Sequence, residues 1–228
     1  MSTKAIISYD GTLNDQDALM LGRLLADAGA ELVLAYVRHA TQVEPEQELL
    51  EEHEAHELLK RGARWLDNLE VQRRVVVSAS TAEGLKRLAA EEEADIIVFG
   101  SDYRTPAGHI APQQSTQTLL EGGTASVAIA PADYRHGRDG KLSWIGVLAS
   151  PGDEAALETA RELAGSLGAE LSQDDPRVDL LVVGSRPEAP MGHVMISSQG
   201  QRQLESASCP VLVVPRGSGV RFGAGTLV

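Results

Sequence analysis

Cysteine, aromatic residues and basic charge are all scarce in this chain of 228 residues. The single cysteine, Cys209, excludes a disulfide framework, and its apolar neighbours indicate a buried thiol rather than a redox centre. A formal net charge of −13 disfavours duplex nucleic acid and anionic membranes, since either partner requires a basic surface. We therefore expect no nucleic-acid partner and no membrane partner.

Long apolar runs are also absent. No stretch approaches the roughly 20 apolar residues that span a bilayer, and the run after Lys4 is too short for the core of a signal peptide. A hydrophobic content of 43% is nevertheless enough to build packed cores. We expect a globular, cytoplasmic protein.

An internal repeat organises the chain. The stretch GSDYRTPAGH begins at Gly100 and GSRPEAPMGH begins at Gly184, each directly after an apolar run. The offset between these loops is 84 residues, whereas farther upstream an offset of 139 aligns Leu24 with Leu163, so the second copy is 55 residues shorter. We predict a complete domain at 1–132, a linker at 133–141, a truncated domain at 142–216 and a tail at 217–228.

Apolar periodicity predicts strands that alternate with helices. In the first copy we expect strands at 5–9, 31–38, 71–78, 95–99 and 126–130, and helices at 15–28, 45–66, 81–92 and 115–120. The second copy keeps its first strand and helix and its last two strands, but lacks the middle helix–strand–helix. The prediction is therefore an α/β protein with two doubly wound, parallel-sheet domains in tandem.

The missing segment has a consequence for the second sheet. We expect apolar surface and unpaired strand backbone near Ile145 to Leu148, which soluble proteins rarely leave open. Either the tail, with its apolar Val220 and Phe222, or a second subunit would cover it. Of these two alternatives we favour a homodimer.

Three motifs in this order resemble the universal stress protein family in its tandem form. They are Tyr9-Asp10-Gly11-Thr12 after the first strand, the apolar run into Gly100-Ser101, and CPVLVVP at the end of the second copy. The resemblance implies Rossmann-like domains of the adenine nucleotide alpha hydrolase type. It also implies an intrachain pseudo-dimer, with the last strand of each copy near a pseudo-twofold axis.

The resemblance also implies candidate binding residues. In nucleotide-binding members, ATP is held by the aspartate after the first strand, by the end of the second strand, and by a loop of pattern Gly, two residues, Gly, nine residues, Gly-Ser. Glycines let backbone N–H groups approach phosphates, and a hydroxyl at the next helix start adds a donor. The positions that follow in this chain are Asp10, Gly11, Thr12, Val37, Gly100 and Ser101.

The remaining loop positions depart from that pattern. Tyr103, Gln113 and Gln114 stand where the pattern has glycine, glycine and serine. The shared Pro-x-Gly-His offers replacements, which are Gly108 and His109 with the hydroxyls of Ser115 and Thr116. The alternative is that Pro106 to His109 is a shaped turn that caps the sheet.

The second copy has an incomplete site as well. Ala149 stands opposite Asp10, and the loop positions carry Gly184, Pro187, Ser197 and Ser198. Proline removes an N–H donor that a phosphate would need.

The leading hypothesis is a noncatalytic universal stress protein with a stress-response or regulatory role and weak or lost nucleotide binding. The alternatives are an ATP- or AMP-binding member that uses the altered Gly-His loop, and an enzyme of a related nucleotide-activating α/β superfamily. We predict no catalytic residues, no required cofactor and no metal site, and ATP or AMP are the candidate ligands. His53 and His56 are three residues apart, rather than the four of a zinc helix motif.

Overall fold

In the first half, strands and helices alternate as the periodicity predicts. The computed structural model describes residues 2–39, 45–136, 142–172 and 178–223. Its first nine elements are β1 (Lys4–Ser8), α1 (Asp15–Asp27), β2 (Glu31–His39), α2 (Pro45–Trp65), β3 (Gln72–Ser78), α3 (Thr81–Glu91), β4 (Ile96–Gly100), α4 (Gln114–Leu120) and β5 (Ser126–Ala130). The α/β class and the order of elements are confirmed, and no helix or strand end differs from the predicted one by more than one residue.

The second half repeats this order in shortened form. Its elements are β6 (Trp144–Leu148), α5 (Ala155–Leu167), β7 (Glu170–Ser172), β8 (Leu180–Gly184), α6 (Ser198–Ser206) and β9 (Val211–Val214). Only seven residues, 173–179, separate β7 from β8, of which 173–177 lie outside the described residues. This is too few for a helix, a strand and a second helix, so the predicted truncation is confirmed.

The nine strands of the described residues form one sheet, in the order β3-β2-β1-β4-β5-β9-β8-β6-β7. Neighbouring strands within each half are parallel, and the two halves join through an antiparallel pair, β5 with β9. The register pairs Val127 with Val213, Ala128 with Leu212, and Ile129 with Val211. Ala128 and Leu212 are repeat counterparts, so the pairing is symmetric about them and gives the pseudo-twofold axis that we predicted.

Two hydrophobic cores cover the two faces of this sheet. One core contains apolar residues of α1, α2 and α5, and the other contains those of α3, α4 and α6. Every residue of β4 and β5 is buried, as expected for central strands that have helices on both faces. No helix in the described part of the chain is long and apolar enough to cross a membrane.

The predicted open edge at Ile145 to Leu148 is wrong for the start of β6. Ile145 is fully buried, and β6 pairs with β8 on one side and with β7 on the other. The strand β7 is the counterpart of β2 and has only three residues. They are enough to pair with Trp144 to Gly146, because each hydrogen bond between strands involves only the backbone of the paired residues. Val147 and Leu148 lie beyond β7 and are half-buried.

The described part of the tail docks, although not against that edge. Val220 and Phe222 are each 4% exposed and belong to the same core as α1 and α5. The Val220 N–H donates to Thr159 Oγ1 of α5 at 2.9 Å, and the Thr3 hydroxyl donates to the Arg221 carbonyl. The tail therefore ties the second half to the start of the first, and this role was not predicted.

Parts of two predicted segments lie outside the described residues. These are 137–141 of the linker and 224–228 of the tail. At the start of the linker, Arg135 pairs with the fully buried Asp17 of α1, with Nη1 and Oδ2 3.0 Å apart. The domain boundaries stay predictions.

We expect Phe222→Ala to lower the free energy of unfolding by about 3–5 kcal/mol, because it opens a cavity where the tail packs. Arg221→Ala is the matched control, since its side chain is exposed and its carbonyl is retained, and we expect a change within about 0.5 kcal/mol. Urea denaturation measures both variants. If Phe222→Ala lowered the free energy of unfolding no more than Arg221→Ala does, the tail would contribute no packing to the core.

Candidate functional site

A cleft lies at the carboxyl ends of β1, β2 and β4. The strand order reverses between β1 and β4, which is where open α/β sheets bind ligands. The cleft has a volume of about 170 Å³. Besides two tyrosines, Tyr9 and Tyr36, its polar lining consists of Ser8, Asp10, Asp15, His39, Thr81 and Gln113.

Three of the ten candidate binding residues line this cleft, namely Asp10, Val37 and Gly100. Asp10 lies two residues after the end of β1, and its side chain is exposed. Its Oδ1 accepts a hydrogen bond from the Thr12 N–H at 3.0 Å, which holds the carboxylate against its own loop. The Asp10 carboxylate therefore lies at the cleft, and its role in binding stays a prediction.

The loop between β1 and α1 is organised by a residue that the sequence analysis missed. Asp15, the first residue of α1, accepts hydrogen bonds at Oδ2 from the N–H groups of Asp10, Gly11 and Thr12, at 2.6, 2.9 and 3.3 Å. Gly11 has a φ of +84°, a left-handed conformation that glycine adopts without steric cost. Gly11 and Thr12 thus contribute to the loop through their backbone.

Asp15 is 4% exposed and lies beside Asp10. Burial, followed by a hydrogen bond to the Asp10 side chain and repulsion from its charge, raises the pKa of the Asp15 carboxyl to about 8. Burial also raises the pKa of the neighbouring Tyr9 hydroxyl, and the charge of Asp15 adds to this effect. The start of α1, at the edge of the cleft, is therefore acidic, and its Asp15 carboxyl is poorly solvated.

Gly100 has a packing reason to be glycine. A Cβ atom at this position would lie 2.1 Å from the carbonyl oxygen of Asn14, just before α1. The Asn14 amide in turn donates to the carbonyls of Ser101 and Asp102, at 3.1 and 2.7 Å. Gly100 therefore permits the close approach of α1 to the end of β4.

The geometry does not support the proposed ligand role of Ser101, Gly108 and His109. The buried Ser101 hydroxyl donates to the Ala130 carbonyl at 2.8 Å, and the Gly108 N–H donates to the Ala132 carbonyl at 2.8 Å. The His109 carbonyl accepts from the Ala132 N–H at 2.9 Å, and its side chain is exposed. These groups are used by a turn that fastens the loop to the chain just after β5.

The second copy of the loop makes the same bonds. The Ser185 hydroxyl donates to the Val214 carbonyl at 2.7 Å, the Gly192 N–H donates to the Arg216 carbonyl at 2.8 Å, and the His193 carbonyl accepts from the Arg216 N–H at 3.0 Å. Gly108 and Gly192 have φ values of +75° and +73°. The repeated motif is therefore a sheet-capping turn, the second of the two interpretations that the sequence allowed.

The hydroxyl candidates on α4 also lie outside the lining of the cleft. Ser115 is half-buried, and Thr116 is fully buried among the core residues of α4. Gln113, just before this helix, lines the cleft instead and caps no N–H with its side chain. Tyr103, at the other substituted position, is 64% exposed and stacks with Arg104.

His39 and Thr81 are further lining residues that the sequence analysis missed. His39 is the last residue of β2 and Thr81 the first of α3. The rule that ligands bind beyond the carboxyl ends of parallel strands would have selected His39, since it stands two residues after Val37. No comparable sequence signal selects Thr81.

The second half contains a more open cavity of about 500 Å³ at the start of α6. Leu120 and Glu121 of the first half line it together with Arg186 and Ser198. The Ser197 hydroxyl accepts from the Gly200 N–H at 3.0 Å and so caps α6. Ala149, the counterpart of Asp10, is exposed.

The two histidines of α2 form no metal site. His53 and His56 are exposed, and His56 Nδ1 faces the Glu52 carbonyl at 2.8 Å. Within the described ranges, no group of three or more His, Cys, Asp or Glu side chains is arranged to hold a metal ion.

The raised pKa of Asp15 predicts a pH dependence of stability. A carboxyl whose pKa is about 8 when folded and about 3.9 when unfolded binds more protons in the folded state, so it destabilises the protein as the pH rises from about 4 to 8. We expect Asp15→Asn to reduce this loss by about 1–3 kcal/mol, measured by urea denaturation across that range. The control Glu154→Gln, at the exposed counterpart position, should leave the slope unchanged. An unchanged slope in Asp15→Asn would contradict the assignment.

Three solved structures show the fold. A universal stress protein from Archaeoglobus fulgidus DSM 4304 superposes with a TM-score of 0.69 at 14% identity, over 95% of this chain and 100% of that chain. A Pseudomonas aeruginosa UCBPP-PA14 protein described as a universal stress protein gives 0.64 at 13% identity, over 95% and 94%. A protein of unknown function from Pseudomonas aeruginosa PAO1 gives 0.63 at 13% identity, over 95% and 93%.

No curated protein matches the chain. The sequence model of the universal stress protein family matches residues 1–131 and 173–215, which is most of both halves. Its two segments leave out the stretch around the linker and α5, and they carry the motifs around Asp10, Gly100 and Cys209. The chain therefore belongs to the universal stress protein family.

Proposed function

We propose that this chain is a noncatalytic stress-response or regulatory protein whose first-half cleft binds Mg·ATP weakly or not at all. The observation that carries the proposal is the charge of the cleft. Asp10 and Asp15 both line it, and none of the described lining residues is a lysine or an arginine. The raised pKa of about 8 leaves Asp15 mostly neutral at pH 7, so a triphosphate would meet the negative charge of Asp10 without a cation to offset it.

The nearest arginine along the chain does not change this charge balance. Arg38 lies between Val37 and His39 and pairs with Glu51, with Nη1 and Oε2 2.9 Å apart. Breaking that half-buried pair to free the guanidinium would leave Glu51 without its arginine. The ion pair between Arg38 and Glu51 thus supports the proposal that the cleft has no cation for a phosphate.

The size of the cleft also supports weak binding. Its 170 Å³ is below the roughly 300–1,000 Å³ that ligand pockets usually enclose. The Gly100 backbone, packed against Asn14, limits expansion at one wall. A complete nucleoside triphosphate would therefore extend out of the cleft, over the loop where Tyr103 is exposed.

The absence of catalysis rests on the lining groups. The only hydroxyl and histidine of the described lining that approach each other are Thr81 Oγ1 and His39 Nε2, at 3.4 Å. This exceeds the roughly 2.6–3.2 Å expected of an activated nucleophile and its base. A backbone carbonyl, that of Ala79, faces the other ring nitrogen at 3.4 Å, so no carboxylate orients the ring.

Isothermal titration with ATP and magnesium tests the proposal. We expect no binding tighter than roughly 100 μM, which corresponds to about −5.5 kcal/mol. Asp10→Ala should change this result little, because little binding is present to be lost.

Micromolar binding that Asp10→Ala abolishes would overturn the proposal. It would favour the ATP- or AMP-binding alternative instead. Ser8→Ala is a matched control, since it alters the same strand end without removing a charge.

We also propose a homodimer, supported by a patch on the second half. Trp144 is 38% exposed, and Leu148 and Leu181 are half-buried where a counterpart of α3 is missing. Light scattering at micromolar concentration should give twice the monomer mass of 24.3 kDa. Trp144→Gln should shift the protein towards monomer, whereas Trp65→Gln, an exposed tryptophan of the first half, should not. Monomers at all concentrations would contradict the homodimer.

A further inference from the structure

The loop between β1 and α1 directs three successive backbone N–H groups to one point. The left-handed conformation of Gly11 turns the donors of Asp10, Gly11 and Thr12 inwards. Such converging donors form a concave anion site, as in phosphate-binding loops. The loop is therefore built in the manner of an oxyanion site at the edge of the cleft.

In this chain an internal group fills that site. Asp15 Oδ2 accepts from all three N–H groups, although the Thr12 N–H also donates to Asp10 Oδ1 at the shorter distance of 3.0 Å. Asp15 is 4% exposed, so carboxyl oxygens of the chain occupy every one of these donors. The oxygen accepts hydrogen bonds whether the carboxyl is neutral or ionised. The occupancy of the donors thus does not depend on the protonation of the Asp10 and Asp15 pair.

We propose that Asp15 is the specificity-determining residue of the cleft, because its carboxyl group occupies the backbone donors of Asp10 and Gly11, which would otherwise bind a ligand oxyanion. It shares the third donor, the Thr12 N–H, with Asp10. The inference rests on the proposed function, and it explains weak nucleotide binding by the lack of available N–H donors at one wall of the cleft. With the donors occupied, this wall offers a ligand only the Asp10 carboxylate, which recognises hydrogen-bond donors. The cleft therefore selects against phosphate and carboxylate groups here.

The second half shows that the arrangement belongs to the first half alone. At the offset of 139 the counterpart of Thr12 is Pro151, which has no N–H, and that of Asp15 is Glu154. Glu154 is exposed, and its side chain caps no N–H of α5. The three-donor loop is absent there, so Glu154 supplies a control position.

Two variants of Asp15 separate occupancy from charge. Asp15→Ala removes the internal acceptor and frees the N–H groups of Asp10 and Gly11, while the Thr12 N–H keeps its bond to Asp10 Oδ1. We expect inorganic phosphate to bind at least tenfold tighter than to the unaltered protein. Asp15→Asn keeps an oxygen in the same place without the charge, so we expect phosphate affinity to stay within about twofold. Isothermal titration measures both, and thermal unfolding confirms that each variant is folded.

Two controls test whether the gain is specific to phosphate and to the Asp15 position. Adenosine tests the rest of the cleft without a phosphate, and its affinity should be the same in Asp15→Ala and the unaltered protein. Glu154→Ala should leave phosphate binding unchanged. Should Asp15→Ala fail to fold, Asp15→Ser keeps a hydroxyl at the start of α1 but is too short to reach all three donors, and it should show the same gain.

A folded Asp15→Ala or Asp15→Ser variant without the gain would overturn the inference. An equal gain in Asp15→Asn would also overturn it, because charge rather than occupancy would then exclude the anion. The Mg·ATP titration of the unaltered protein decides the proposed function separately. Tight binding there would refute weak nucleotide binding, whatever the Asp15 variants show.

Discussion

The antiparallel pairing of β5 with β9 is the interaction on which the rest of the structure depends. It converts two repeated halves into one sheet, and its symmetry about Ala128 and Leu212 places their helices on matching faces. In the part of the chain that the structure describes, the second half has four strands, of which β7 has three residues. Such a half buries little surface by itself, so the shared sheet and the docked tail supply much of its core.

The pairing of β5 with β9 also explains why both halves contain the Gly-Ser…Pro-x-Gly-His loop, whereas, among the described residues, only the first half contains the cleft. The Gly-Ser and Pro-x-Gly-His residues fasten each loop to the chain just after β5 or β9, next to the joining pair, and both halves need this. The cleft also requires the ends of β2 and the start of α3. The second half has no α3 counterpart, so an equivalent cleft is absent from its described residues.

Within the first-half cleft, the chemistry is set by two adjacent carboxylates. Asp10 lines the cleft with its side chain exposed, whereas Asp15 uses the loop donors internally. Burial and mutual repulsion raise the pKa of Asp15 and make the site costly at neutral pH. The described lining of the cleft places no lysine or arginine beside this pair.

The sequence by itself determined the elements, the repeat and the truncation, because apolar periodicity and the offsets of 84 and 139 are local properties of the chain. It also placed Asp10, Val37 and Gly100 at strand ends that converge. Only the tertiary structure decided that Ser101 and Gly108 fasten a turn, that Ile145 is covered, and that Asp15 fills the loop. These outcomes depend on contacts between segments that are far apart in the chain, such as the contact of Gly100 with Asn14. The periodicity of apolar residues carries no information about such contacts.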